Sequence, residues 1–467
     1  MKIVATKIKS IKSDISKMKR VSELINYVPE QVIEKSAYIL LMIWILSPIL
    51  MMFRSIFMNY SDEFDQLYKH SYLDIIWFTL LQQIGYIGFL LGIVMFGKSI
   101  LQAKEKKVSL RQYLSSNLFP LFLLFMLIWS VLSCLVSDNI SLSLNGDTYR
   151  FDGLRTYFAY CGIFSCAYIV TNKYLMQHII SYFTHIAVFL SLLVLVNIEN
   201  INNVFGLTAN MAIFNNTNHF AYYLCLALMC AMLLFLIEKR STIRLLLRIV
   251  ELAIITSALV QNKSFGSYLA VIVGLICCVV LVIWLDKNAL KRVLIALIIF
   301  ILISLIMNIS SGYISNDLHK LVTDTSNVFN GSKDAARAGS GRWRLWVKGL
   351  QFAAERPLFG YGPDNLGARY AEVGINMDRP HNEFIQFAAS LGIPAVIFYI
   401  SALIVHFVSF IQKRKQLSLT MIGILCAVVT YLVSSLFGNT MYYTTPFFFM
   451  ILGLSAGTLK SVPEKIK

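Results

Sequence analysis

Apolar residues recur along this chain in long blocks separated by shorter polar stretches, and the length of the blocks carries the first inference. Twelve apolar runs stand at approximately 37–58, 75–97, 117–136, 154–170, 178–196, 219–237, 249–261, 265–285, 293–309, 382–411, 419–437 and 440–459. Each is long enough, or nearly so, to cross about 30 Å of hydrocarbon as a helix. The pattern predicts an all-α membrane protein of about twelve transmembrane helices, the seventh run being the shortest. Two segments depart from it. Residues 1–28 set Ile3, Ile8, Ile11, Ile15, Met18, Leu24 and Ile25 at helical spacing among lysines, which predicts a basic amphipathic helix on a lipid surface. Asn308 to Pro394 is polar, internal and too long to be a bare connection, and a connection of that length usually carries function. The chain thus divides into a basic segment (1–36), a polytopic domain (37–459) that holds a large loop at 310–381 between the ninth and tenth spans, and a short tail (460–467).

Composition strengthens this reading. Hydrophobic residues make up 57% of the 467 and charged residues 14%, with a mean hydropathy of +0.67, whereas a soluble domain is about 25% charged. The net charge of +16 would suit nucleic acid, but its distribution does not. If the N-terminus is cytoplasmic, most of the 41 Lys and Arg residues fall in the cytoplasmic connections, which is the arrangement that orients a multi-pass protein. Both termini are then cytoplasmic, the 310–381 loop lies outside the bacterial cytoplasmic membrane, and the basic surface faces anionic membrane lipids. No secretory signal is expected, because eight Lys and Arg fall in the first 36 residues and the first apolar run exceeds a signal's apolar core. All eight cysteines lie within apolar runs, which argues against a disulfide framework or a thiolate metal site.

The arginines left outside oppose the orienting rule and need another reason to be there. Arg150 and Arg155 flank the start of the fourth span in Gly146-Asp-Thr-Tyr-Arg-Phe-Asp-Gly-Leu-Arg155, and Arg337, Arg342, Arg344, Arg356, Arg369 and Arg379 stand in the long loop. A guanidinium grips phosphate oxygens in bidentate fashion, so an anionic ligand at the outer surface is one reading. Ion pairs with Asp147, Asp152, Glu355 and Asp378 are the other. Residues 342–356 read as a short helix with Trp343, Trp346, Leu350 and Ala353/Ala354 along one face, ended by Pro357. His381 stands directly against the start of a span, where an imidazole can take a proton from a hydroxyl and release it again; a hydrogen-bonded helix-start residue is the plainer alternative. His219, after Asn218 at the outer mouth of the sixth span, is its rival.

Arg342-x-x-x-Trp346, Pro357-Leu-Phe-Gly-Tyr-Gly362 and His381-Asn382 followed by Gly392 together resemble the O-antigen ligase and Wzy-type polymerase family of membrane glycan transferases. The loop before the fourth span, with Arg150 and Arg155, and Asn218 before the sixth are similar to the family as well. Ala395 departs from its pattern, three residues after the glycine. The resemblance implies a GT-C-like helical fold. It further implies transfer of a glycan from an undecaprenyl diphosphate carrier to an acceptor hydroxyl on a glycan or glycolipid, with polysaccharide-assembly proteins as partners. By position, His381 would be the base, Arg150, Arg155 and Arg342 would hold the diphosphate, and Asn382, Asn218 and His219 would contact substrate. No Asp-x-Asp motif occurs outside, so neither a metal nor another cofactor is required. A transporter or flippase of lipid-linked saccharides is the alternative; it would favour internal repeats and charge at mid-membrane, whereas here charge gathers at one surface.

Overall fold

The computed structural model describes residues 20–53, 62–148, 150–199, 207, 210–214, 216–239 and 241–461. The expected amphipathic helix at 1–28 lies, for its first 19 residues, outside that range. What is described is α1 (Val21–Tyr27), followed by α2 (Glu30–Met52), α3 (Asp62–Glu105), α4 (Leu110–Ser116), α5 (Leu118–Leu135), α6 (Ile140–Asn145), α7 (Leu154–Ile169) and α8 (Lys173–Val196). Then come α9 (Thr217–Ile237), α10 (Thr242–Asn262), α11 (Phe265–Leu285) and α12 (Leu290–Ser311). The long loop contains α13 (Tyr313–Phe329), α14 (Arg342–Glu355) and α15 (Leu366–Glu372), and the chain continues with α16 (Glu383–Leu391), α17 (Ile393–Gln412), α18 (Leu419–Ser434) and α19 (Thr445–Lys460).

Among the described residues nine helices are long and apolar enough to cross a membrane. Three of the twelve expected spans fall short of that measure. α7 and α19 have only 16 residues each, and α10 carries Arg244, Arg248 and Glu251 in its first half. The chain is a multi-pass, all-helical membrane protein. The polar residues between runs start its helices: the Asn172 side chain accepts from Tyr174 N (2.9 Å) at α8, that of Asn216 from Asn218 N (2.8 Å) at α9, and that of Ser241 from Arg244 N (3.2 Å) at α10. Each satisfies a backbone donor that the first turn leaves unpaired.

Helix α9 is apolar on every side after its first turn, is buried from His219 to Leu236, and forms the centre of the bundle. The α12 segment, with Leu305, Ile306 and Ile309 exposed, turns most of its surface outward, as a lipid-facing helix does. Lipid tails are as apolar as leucine, so close backbone approach has to replace the hydrophobic drive between helices. The α3–α7 crossing uses this. A Cβ on Gly162 would lie 1.7 Å from the carbonyl oxygen of Gly85, and one on Gly85 only 2.5 Å from Ala159 Cα. That contact fixes α7, and with it the loop that carries Arg150 and Asp152.

The structure corrects two expectations. The tenth run, expected as one helix from 382, is two helices meeting at Gly392, whose φ of +92° disfavours other residues. The break is held by the Pro357–Gly362 segment: Pro357 O accepts from Ile393 N (2.8 Å), while Tyr361 N and Gly362 N donate to Ala389 O and Ser390 O (3.0 and 2.8 Å). The loop helix α14 forms nearly as expected, but its buried side is Leu345, Gly349, Phe352 and Ala353. Trp343 and Leu350 are exposed and Trp346 is half-buried, because the loop's own small core, with Tyr361, Leu366 and Tyr370, draws in Phe352 and Leu345.

Gly162→Val is predicted to prevent the α3–α7 approach, since backbone atoms would have to move. The expected result is a large loss of monodisperse protein on detergent extraction, read by size exclusion. Gly374→Ala, a position with no atom within 4 Å of the added carbon, should cost little beyond its backbone strain.

Candidate active site

Four segments that are distant in sequence gather at one face of the bundle: 147–155 before and into α7, the start of α9, 364–382 leading into α16, and 438–445 between α18 and α19. A buried guanidinium joins two of them, and Thr440 ties in a third through the shared Asp152. Arg379, 2% exposed, donates through Nη1 to Asp152 Oδ2 (3.2 Å), through Nη2 to Asp364 Oδ1 (2.6 Å) and through Nε to Asp378 Oδ2 (2.8 Å). Arg150, 8% exposed, grips the same Asp378 through Nε (2.8 Å) and Nη2 (3.3 Å). Asp152 Oδ2 also accepts from Gln386 Nε2 (2.7 Å) and Thr440 Oγ1 (2.5 Å), and Asp364 Oδ2 accepts from the backbone N–H of Asp147 (2.7 Å). Burial pushes the Asp152 carboxyl up to about 6 against the pull of Arg379. Burial also raises Asp378, but Arg379 and Arg150 outweigh it and hold that carboxyl well below the usual carboxylate range.

His381 stands beside this network. Its backbone is left-handed, at φ +54°, a conformation that costs a non-glycine residue on the order of 1–3 kcal/mol and persists only where its surroundings impose it. Asn382 helps impose it: its Oδ1 caps α16 by accepting from Phe384 N and Ile385 N (3.0 and 3.1 Å), and its Nδ2 donates to Leu436 O at the end of α18 (3.1 Å). The His381 ring is half-buried. Nδ1 lies 3.0 Å from Asn439 Nδ2, and Nε2 makes no hydrogen bond to the described residues. Burial first, then the cation of Arg342, lowers the imidazole to about 4, so the ring is neutral at pH 7 and can accept a proton.

Arg342, on the first turn of α14, differs from three other arginines of the loop. Arg356, Arg369 and Arg337 pair with Asp138 (2.8 Å), with Glu355 and Glu372 (2.9 and 2.6 Å), and with Asp334 (3.8 Å). Arg342 makes no ion pair or hydrogen bond to the described residues, yet it acts on both His381 and Tyr222. It is an uncompensated cation next to a neutral imidazole.

The remaining sequence candidates are placed as follows. His219, 3% exposed, sits edge-on to the rings of Tyr222 and Tyr443 (5.8 and 5.4 Å between centroids) with Nδ1 buried and unpartnered. Arg150 and Arg379 are among the charges acting on it. Asn218 joins α9 to α11 by accepting from Ser264 Oγ (2.9 Å). Arg155 is exposed on α7, donates to Asn145 Oδ1 (2.9 Å), and makes no hydrogen bond or ion pair with His381, Asp378 or Arg150. Sequence reasoning passed over Asn439, Thr440, Gln386 and Asp364; it named Arg379 among the outside arginines and Asp152 and Asp378 among their ion-pair partners, and those pairs form. The one available signal was Asn439, in the two-residue gap between the eleventh and twelfth apolar runs.

The family model described as O-antigen ligase matches residues 250–400. Over that stretch the chain carries an O-antigen ligase domain. Comparison with curated proteins finds no match. The match supports an enzyme of glycosyltransferase type and glycan transfer in general, with lipid-linked glycan and membrane lipid as general partners; the transporter alternative gains nothing from it. Arg342, Asp364, Asp378, Arg379 and His381 fall inside the O-antigen ligase domain, whereas Arg150, Asp152, His219, Asn439 and Thr440 fall outside it.

Beneath the site, Glu383 is 2% exposed and its Oε1 accepts from Tyr431 Oη (2.7 Å). Burial raises its carboxyl to about 8. The folded state therefore holds a proton that the unfolded chain releases near pH 4.5, so this group's contribution is complete below that pH and is lost as pH rises through 8. Glu383→Gln, which mimics the protonated form, should raise the melting temperature at pH 8 and leave it unchanged near pH 4. Thermal denaturation in detergent at the two pH values checks this.

Proposed function

We propose that this protein transfers a glycan from an undecaprenyl diphosphate carrier to an acceptor hydroxyl at the outer face of the bacterial cytoplasmic membrane, as a ligase or a polysaccharide polymerase. The observation that carries the proposal is the pair formed by His381 and Arg342: a neutral imidazole anchored at Nδ1, with Nε2 unengaged, beside a guanidinium that has no carboxylate partner among the described residues. The acceptor oxygen attacks the anomeric carbon while its proton passes to Nε2 of His381. The bond from that carbon to the diphosphate oxygen breaks, and the electron pair leaves with the carrier. Charge then grows on the diphosphate. A preorganised cation at a surface of low dielectric stabilises that growth most in the transition state.

In this reading the arginines divide their work. Arg342 meets the diphosphate directly. Arg150, already held by Asp378, and Arg379 keep the site in shape and supply positive potential, and Arg155, exposed on the first turn of α7, meets the donor from its membrane side. Asn382, Asn218 and His219 shape the walls toward substrate. Both termini are cytoplasmic, with α13 to α15 outside. The reaction takes these residues alone, and the acceptor class remains glycan or glycolipid.

The test is turnover of purified lipid-linked oligosaccharide in proteoliposomes. His381→Ala should lose roughly 10²- to 10⁴-fold in kcat, the usual worth of a general base, while donor binding persists. Arg342→Lys should fail nearly as badly as Arg342→Ala, because lysine keeps the charge and loses the planar fork. Near-normal transfer by His381→Ala, with insertion verified, would end the proposal.

Orientation has its own check. Lys333, exposed in the loop, is predicted to react as Lys333→Cys with a membrane-impermeant maleimide in intact spheroplasts. Labelling that appears only after permeabilisation would place the site on the wrong side of the membrane for an outer acceptor.

A further inference from the structure

Asn439 lies outside the O-antigen ligase domain, on the loop between α18 and α19, and is 2% exposed. Its amide is the one side-chain group among the described residues that hydrogen-bonds the His381 ring, with Nδ2 3.0 Å from Nδ1. Its Oδ1 is buried with no partner. The neighbouring Thr440 is bound to Asp152 and Gln386 (2.5 and 2.9 Å), so the loop has little freedom to move away from the ring.

The two ends of an amide have opposite hydrogen-bonding character, and a neutral imidazole carries one proton on two nitrogens. If Nδ2 faces the ring, it donates to Nδ1, the ring proton sits on Nε2, and the unengaged nitrogen has no lone pair to offer a hydroxyl. If the amide turns by half a revolution about its last bond, Oδ1 accepts from Nδ1–H and Nε2 is left bare. Either orientation leaves one end of the amide unpartnered among the described residues, so hydrogen-bond count does not choose between them. Chemistry does, because only the second gives a base at the accessible nitrogen. The other groups facing the ring do not bond to it: Arg342 from α14, Arg150 from the loop before α7, Asp378 and Arg379 from the segment before the ring, and His219 from α9.

We propose that Asn439 is a positioning residue that accepts the Nδ1 proton of His381 through its Oδ1, fixing the tautomer in which Nε2 takes the proton of the acceptor hydroxyl. This rests on the reading of His381 as the base. The bond is neutral, so it orients the ring without adding a negative charge beside a site that must receive a diphosphate.

Asparagine and aspartate separate the two orientations, because a carboxylate can only accept. Asn439→Ala should lower kcat by about 10²-fold with KM for the donor unchanged, a loss within the usual worth of a general base. Asn439→Asp should keep substantial turnover and move the acid limb of the kcat/KM profile upward by about 1–3 pH units, as an anion beside the ring favours its protonated form. Turnover of Asn439→Asp as low as that of Asn439→Ala, with both proteins inserted, would mean that the amide donates and would overturn the proposal. The unsubstituted protein gives a second measurement that is independent of folding. With ¹⁵N-labelled imidazoles, and the His381 signals identified by difference from His381→Gln, Nδ1 should be protonated and Nε2 bare at neutral pH. The reverse assignment, with His381→Ala inactive, overturns the role of Asn439 alone; activity that survives His381→Ala overturns the base and its positioning residue together.

Discussion

A charge buried without partners is unaffordable at the edge of a membrane, and Arg379 is the residue around which this constraint is met. Three carboxylates, Asp152, Asp364 and Asp378, converge on one guanidinium that is 2% exposed. Removing one partner from such a cluster costs about 3–5 kcal/mol, since it strands a charge that water cannot reach. The cluster does not need to add net stability to matter. Its geometry has one solution, and that solution brings the turn before α7, the Asp364 turn and the approach to α16 to the same place.

The ring of His381 takes its position from this arrangement and from the broken tenth run. Gly392 ends α16 early, the Pro357–Gly362 segment satisfies the backbone groups freed there, and Asn382 caps the other end of the same short helix. Pro357 to Gly362, one of the segments that carries the family resemblance, thus hydrogen-bonds the backbone of the break. Arg342 enters from α14, whose face is set by Leu345, Gly349 and Phe352 packing into the loop's own core. Rigid supports on both sides leave Arg342, with no counter-charge among the described residues, next to a neutral imidazole.

Much of this was legible in the sequence. Each apolar block is helical over most of its described length, the tenth as two helices, because block length and hydropathy are local properties, and His381, Arg342 and the glycines around them stood out by type and spacing. Three things were not legible. The break at Gly392 depends on hydrogen bonds between residues 28 to 36 positions apart, so a continuous apolar run concealed it. The face of α14 was misjudged because tryptophans look like anchors when the competing partners, Tyr361 and Tyr370, are unknown. Residues 440–444 were read as the beginning of a span, since Met441, Tyr442 and Tyr443 are apolar enough to hide Thr440, and Asn439 fell in the short gap before it.

The distribution of the site along the chain has a consequence for exchanging parts between relatives. The stretch with family likeness ends at residue 400, and it supplies the imidazole, the free guanidinium and Arg379. The carboxylate of Asp152 and the amide of Asn439 come from sequence on either side. A chimera that carried residues 250–400 into a foreign scaffold would import a buried arginine short of one anion and a histidine with no group to orient it. Swaps that respect the chemistry have to move the 147–155 and 438–445 loops with that stretch, as one unit.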